Sequence, residues 1–378
     1  MTDSGNQARL AGAPGIKDIA RALGVSIGTV DRALHGRPGI NPLTRAKVLK
    51  MAQTMGYEPN TAARHLKLNK KLRISVHLPQ KIAFFFAAIR EGIEEAARPF
   101  RSTVELQIRT YPQLGEGDLE LFAQALQEGT NGLILAPGHP ADLKPLIRQA
   151  ARANIPVVCV ATDAPGTERL ASIATDAFTS GAMAAELLAV TAASGARTLI
   201  VTGDQTTADH AEKIAGFRSF VNDSRKSLEI AAVLEAHDDP ERAFGLTRDF
   251  LTRDRNIQTV YVSTANSLPV LEALKTAGLT RLVRVVTTDL FQALAPMIRD
   301  QIVLATLYQR PRTQGRMAFQ ALHQYLVQGR CPPLRQRMPP QLVLRSNLDL
   351  FLNMMPAEAP ETAVASATYA KARSGRGS

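Results

Sequence analysis

The chemistry in this 378-residue sequence begins with positive charge. Residues 1–73 hold thirteen Lys and Arg against four acids (Asp3, Asp18, Asp31 and Glu58), which is nine of the net eleven positive charges of the chain. A basic footprint confined to so short a stretch suits a polyanion, above all the phosphate backbone of a nucleic acid. A solvated basic tail would carry the same charge, so the patterning must separate the two. Groups for covalent or metal chemistry are sparse. The seven histidines, His35, His65, His77, His139, His210, His237 and His323, are scattered without ligand spacing. Cys159 and Cys331 are the only cysteines, so neither a disulfide framework nor a paired metal ligand set is implied, and a reducing compartment is natural. There is no G-x-S-x-G elbow, no G-x-x-x-x-G-K-[ST] phosphate loop and no H-E-x-x-H helix. No cofactor, no metal and no catalytic residue is expected.

The elements that would position the basic residues are short helices. Ile16, Ile19, Ala20 and Leu23 share one face at helical spacing. Gly24 supplies a turn and Val25 an apolar plug, and Ser26 can cap a second helix whose Val30, Ala33 and Leu34 point inward. Small Ala20 lets the two helices cross closely, which is the spacing of a helix-turn-helix. A third helix starts at Asn41-Pro42 with the stripe Val48, Ala52 and Met55, and Gly56 can end it.

The run GIKDIARALGVSIGTVDRAL followed by GYEPNTAARHL resembles the LacI family of bacterial repressors over residues 16–66 without a gap. The resemblance implies a DNA head in which Lys17, Ser26, Ile27, Gly28, Thr29, Arg32 and His35 lie at or beside the major groove, with Ile27 and Gly28 leading. It also implies a hinge helix over residues 60–66 that folds only on DNA, because a helix this short is marginal alone. Asn60 and Ala63 belong to that hinge, and Leu66 would wedge into a minor-groove base step, where an apolar wedge kinks the duplex. Two positions depart from the family pattern. Asp31 stands where serine is common, and Gly28 has no side chain to read a base.

From Leu72 the pattern changes. Apolar strands alternate with helices of 10–15 residues, from LRISVHL to IPVVCVATDAPG and again from RTLIVTGDQ to VRVVTTDL. That alternation means βαβ units and parallel sheet. Two rounds of it predict two open lobes with a cleft between their carboxyl edges. The expected fold is therefore an all-α helix-turn-helix head plus an α/β body of two doubly wound parallel-sheet lobes. The expected organisation is a disordered 1–14, a head over 15–58, a hinge and linker over 59–71, and a bilobed body over 72–353. Lobe 1 covers about 72–175 and 309–338, and lobe 2 about 176–308 and 339–353. QLVLRSNLDLF reads as a closing strand, and the Ala-, Pro-, Ser- and Glu-rich 354–378 as a disordered tail.

The body is similar to sugar-binding periplasmic proteins of the ribose-binding type, the sensor that the LacI family shares. Position by position, the resemblance assigns effector contacts to Phe85, Phe86, Asp163, Asp176, Lys213, Asn266, Asp289 and Gln309. Aromatic rings would stack on the C–H face of a pyranose, and carboxylates and amides would pair with its hydroxyls. Alternatives stand beside several of these. One of the three phenylalanines serves the core, Asp176 could cap the following helix, Asp163 could end a loop, and Ser263 or Thr264 could replace Asn266. His210 could face the pocket or solvent, and Lys213 replaces the family's usual arginine, losing its planar fork.

Apolar residues make up 45% and charged residues 21%, and no apolar run approaches the ~20 residues that span a bilayer. The N-terminus lacks a signal core. A cytoplasmic regulator is expected, with no membrane contact. It would be a homodimer, since the leucine heptads of tetrameric relatives are missing, and its two heads would read a pseudo-palindromic double-stranded operator. A small sugar or polyol would control that binding. The alternatives are a transport sugar-binding protein and a sugar-metabolising enzyme.

Overall fold

The computed structural model describes residues 16–34, 39–55, 71–223 and 228–355. The expected hinge and both terminal segments lie outside them, apart from Lys71 and from Met354 and Met355.

In the head, α1 (Ile16–Leu23), α2 (Ile27–Leu34) and α3 (Pro42–Thr54) close on a small core of Ile19, Ala20, Val30, Ala33, Val48 and Ala52. The turn between α1 and α2 needs Gly24, whose φ of +64° is left-handed and lets the Val25 N–H donate to the Ala20 carbonyl at 3.1 Å. The Ser26 hydroxyl accepts from the Thr29 N–H at 3.1 Å. Asn41 accepts from the Leu43 N–H at 2.9 Å, ahead of Pro42 at the first helical position. A core of six small or medium side chains depends on such caps, because it buries little apolar area.

The body contains two six-stranded sheets. The first comprises β1 (Leu72–Pro79), β2 (Val104–Tyr111), β3 (Gly132–Leu135), β4 (Val157–Val160), β5 (Ala171–Thr175) and β11 (Arg335–Met338). Its spatial order is β2-β1-β3-β4-β5-β11, with every neighbouring pair parallel. The second comprises β6 (Arg197–Thr202), β7 (Glu229–Glu235), β8 (Thr259–Val262), β9 (Arg284–Thr288), β10 (Ala305–Tyr308) and β12 (Gln341–Val343). Its order is β7-β6-β8-β9-β10-β12, and only β12 is antiparallel. GLIL of β3 and VVCV of β4 are buried at every residue, as strands covered on both faces must be. In each sheet the order reverses next to the first strand, at β1/β3 and β6/β8, which opens a crevice at the carboxyl edge.

Helices α4 (Ala83–Ala97), α5 (Asp118–Glu128) and α6 (Pro140–Arg152) follow strands of the first sheet. Helices α8 (Ala208–Asp223), α9 (Pro240–Arg253), α10 (Ser267–Thr276) and α11 (Ala295–Arg299) follow strands of the second. The chain crosses between sheets three times: after β5 into α7 (Ala177–Thr191), after β10 into α12 (Pro311–Gln328), and between β11 and β12. Each crossing helix docks through a glycine pair. A Cβ on Gly181 of α7 would lie 1.8 Å from the Lys213 carbonyl oxygen of α8, and one on Gly216 1.9 Å from that of Phe178. In the first lobe Gly92 and Gly315 stand in the same relation between α4 and α12, each 2.0 Å from an opposing carbonyl. Backbone cannot retreat as a side-chain tip can. Gly181→Val is therefore expected to destabilise the body by about 3 kcal/mol, the upper part of the overpacking range, read as a lower urea midpoint. An unchanged midpoint would show that α7 and α8 separate freely.

One expectation at the C-terminal end is corrected. Residues Leu348–Met354 form helix α13, not the end of a closing strand, and the strand itself is only Gln341–Val343. Arg335–Met338, which has no apolar alternation, is an edge strand. Its arginines at period two are held by a buried acid rather than by a hydrophobic face. Among the described residues no helix is long and apolar enough to cross a membrane.

Candidate functional site

On the head, the start of α2 presents Ile27, half exposed, beside exposed Gly28, with Arg32 exposed one turn on and Lys17 exposed on α1. Gly28 has no side chain to reach outward, yet a Cβ there would meet only the Ser26 hydroxyl at 3.9 Å. Ser26 and Thr29 are joined by a 2.8 Å hydroxyl contact, so Ser26 serves the helix cap and Thr29 is half-buried against it. His35, Asn60, Ala63 and Leu66 lie outside the described residues.

In the body the two carboxyl edges face one another and touch. Thr207 Oγ1 donates to the Gly138 carbonyl and the Asp209 N–H to Thr162 Oγ1, both at 3.3 Å. The Phe84 and Phe291 rings are 4.5 Å apart, and Lys81 meets Asp239 at 3.6 Å. Between the edges lie two cavities that share Ile82, Phe86, Leu114, Thr207 and Asp238 in their walls. The outer one, of about 310 Å³, adds Glu116 and His139 from the first lobe and Asp204 and His237 from the second. The inner one, of about 40 Å³, adds Phe85, Thr162, Asp209, His210, Lys213 and Gln309.

Four of the expected effector residues thus meet around the inner cavity: Phe85, Phe86, Lys213 and Gln309. The two rings are buried and packed edge to face at 5.2 Å. The Lys213 Nζ donates to Asp209 Oδ2 at 2.6 Å and to the Ser263 carbonyl at 3.2 Å. Burial works to lower its pKa, but the Asp209 carboxylate, with Tyr261 and Asp289, carries it above the ordinary value. Asp289 is one hydrogen bond from the cavity, accepting from Gln309 Nε2 at 2.9 Å. Burial pushes its carboxyl up to about 7 against the pull of Lys213 and Gln309. Its Oδ1 accepts no hydrogen bond from a described residue. Asn266 starts α10, buried, with its Nδ2 likewise without a partner, and its neighbours Thr264 and Ala265 line the cavity instead.

The other two are held elsewhere. Asp163 is buried in an ion cluster with Arg169 at 2.9 Å, Arg337 at 3.0 Å and Arg335 at 3.2 Å. This cluster fastens edge strand β11 to the loop after β4. Asp176 caps α7, accepting from the Thr179 N–H at 2.7 Å. Neither lines the inner or the outer cavity.

Several lining residues lie outside the expected effector set, and of the two places open to His210 the structure takes the pocket. His210 pairs with Asp238 at 3.5 Å. Burial works to lower the imidazole pKa, but Asp238 more than reverses this, and His210 in turn holds the Asp238 carboxyl below its ordinary value against its own burial. Asp204 and Asp238 follow β6 and β7, so the carboxyl-edge rule that pointed to Asp289 could have found both. Asp209 stands one helical turn before Lys213, a visible i,i+4 pair. His139 opposes Asp204 across the cleft at 3.5 Å, and no sequence signal links them.

The family model described as periplasmic binding protein domain matches residues 74–330, and that of bacterial regulatory proteins, lacI family, matches residues 15–60. Catabolite control protein A of Priestia megaterium is 25% identical over 320 residues, covering 82% of this chain and 92% of that protein. Its namesake in Staphylococcus aureus strain MRSA252 is 26% identical over 221 residues, 58% of this chain and 64% of that one. GanP, a glucose-galactose binding protein from Geobacillus stearothermophilus, superposes with a TM-score of 0.68 at 22% identity, over 74% of this chain and 99% of that chain. A Caulobacter myo-inositol binding protein bound to myo-inositol does so with 0.67 at 20%, over 75% and 97%. At these identities the solved structures bear on the fold alone. With a lacI-type head at its start and a periplasmic-binding-protein domain over most of its length, the chain belongs to the LacI family of bacterial regulatory proteins, DNA-binding transcription regulators rather than enzymes.

Proposed function

We propose that the protein is a cytoplasmic, homodimeric repressor whose operator affinity is set by a sugar or polyol held between the two lobes of its body. One observation carries the reading. Around a cavity closed by both lobes, Asp209 Oδ1, His210 Nδ1, Asn266 Nδ2 and Asp289 Oδ1 are buried without a hydrogen-bonding partner among the described residues. Buried polar atoms in a native protein are matched, so these await hydroxyls that enter with a ligand. Phe85 and Phe86 supply the apolar surface that a ring's C–H face requires. A ligand that favours one lobe arrangement shifts the population of DNA-competent dimers by its differential affinity.

On the DNA side, Lys17, Ile27, Gly28, Thr29, Arg32 and His35 would meet the major groove, with Ser26 holding the helix that presents them. Asn60, Ala63 and Leu66 would form the hinge. Footprinting of the region upstream of the protein's own gene, with and without sugars, is expected to reveal a protected pseudo-palindrome. An absence of DNA binding at low salt under every sugar condition would sink the reading. Leu66→Ala is expected to weaken operator binding roughly tenfold or more while most salt-dependent background binding persists, since the wedge carries the bend and the basic residues carry the background. Equal weakening of both in a gel shift would remove Leu66 from the base step.

A further inference from the structure

The charge of the cleft restricts what can occupy it. Among the described residues no arginine lines either cavity, so none there offers the planar fork that grips carboxylates and phosphates. Each basic side chain in the walls already has an acidic partner. Lys213 pairs with Asp209 at 2.6 Å, His210 with Asp238 at 3.5 Å, and Lys81 with Asp239 at 3.6 Å. His139 and His237 share Asp204, at 3.5 Å and 3.2 Å. Glu116 adds another carboxylate to the outer wall. An incoming anion would meet paired bases and surplus acids.

Size divides the cleft further. At about 40 Å³ the inner cavity has room for about three water-sized groups and not for a ring. The outer cavity, at about 310 Å³, lies at the small end of small-molecule sites and has Phe86 and Leu114 in the wall it shares with the inner one.

Resting on the reading of this cleft as a sugar or polyol site, we infer that the effector is an uncharged polyhydroxy compound bound edge first. Two or three of its hydroxyls occupy the inner cavity, its carbon skeleton lies against Phe86 in the outer one, and phosphorylated or carboxylated sugars are excluded. The inner hydroxyls pair with Asp209, His210 and Gln309, each of which offers a neutral or already balanced partner.

The test is calorimetric titration of the full-length protein with matched sets: glucose, glucose 6-phosphate and gluconate; galactose and galacturonate; myo-inositol and its monophosphate. A neutral member is expected to bind, and its anionic counterpart to bind about a hundredfold more weakly, the penalty for a like charge about 5 Å away at a half-solvated wall. An anionic member that binds as tightly as its parent would overturn the inference while leaving the cleft a sugar site. Binding by no member, neutral or charged, would overturn the sugar reading as well.

Discussion

Asp163→Asn is expected to lower the stability of the body by about 3–5 kcal/mol, the range for removing one partner from a buried ion cluster. The carboxylate is 2% exposed and Arg169, which it contacts at 2.9 Å, is 6% exposed. Arg337 and Arg335 approach the same carboxylate at 3.0 Å and 3.2 Å. Asparagine keeps the shape but leaves three guanidinium groups facing one another without their anion. Repulsion then acts on β11, the edge strand that carries two of the three. In a thermal melt this corresponds to a drop on the order of 10 °C for a body of this size. Effector affinity, measured below the new transition, is expected to change little. A variant that melts with its parent yet loses effector binding would place Asp163 at the ligand, the role the family resemblance suggested.

Asp289→Asn separates stability from binding in the opposite sense. Asparagine tolerates the left-handed φ of +68° at this position, so the backbone is retained. The wild-type carboxyl, held at about 7 by burial, stays protonated in the folded chain at pH values where the unfolded chain has already ionised. Its stabilising contribution is therefore fully present below the ordinary carboxylate pKa and is lost as pH rises through about 7. The ligand-free variant, which cannot ionise, is expected to gain on the wild type across that window, by a few kcal/mol at pH 8.

Ligand binding runs the other way. A hydroxyl donating to Oδ1 favours the carboxylate, so wild-type affinity is expected to rise from pH 6 to pH 8 with release of a proton. The variant's affinity would be flat with pH, and about tenfold to a hundredfold lower at pH 8, the loss of a hydrogen bond to a charged acceptor. Titrations in buffers of differing ionisation enthalpy read the proton directly. A pH-independent wild-type affinity would remove Asp289 from the ligand.

The two aspartates show how far strand-edge reasoning extends. Both follow a hydrophobic strand, so periodicity places both at the carboxyl edge where ligands bind. What distinguishes them is what faces the carboxylate. Asp289 meets Gln309 and a cavity wall, whereas Asp163 meets Arg169, six residues along, and two arginines from β11, more than 170 residues away. RQRM has no apolar alternation, because its inward face is filled by ion pairs, so nothing local marks it as a strand. The C-terminal helix α13 was likewise hidden, since LDLFLNM is too short for helical periodicity to outweigh a strand reading.

What the residues alone determined is whatever depends on local pattern. Helical spacing with Gly24 as its turn specified the head, and alternating apolar strands and amphipathic helices specified two doubly wound lobes. The skewed basic charge, with two ordered motifs, pointed to DNA. Tertiary structure alone decided which polar groups meet: which acid is consumed by arginines, which one caps a helix, and which remain unmatched around a cavity. Such pairings join residues far apart in sequence, and their energies depend on burial and on distances of a few ångström. No spacing along the chain encodes either.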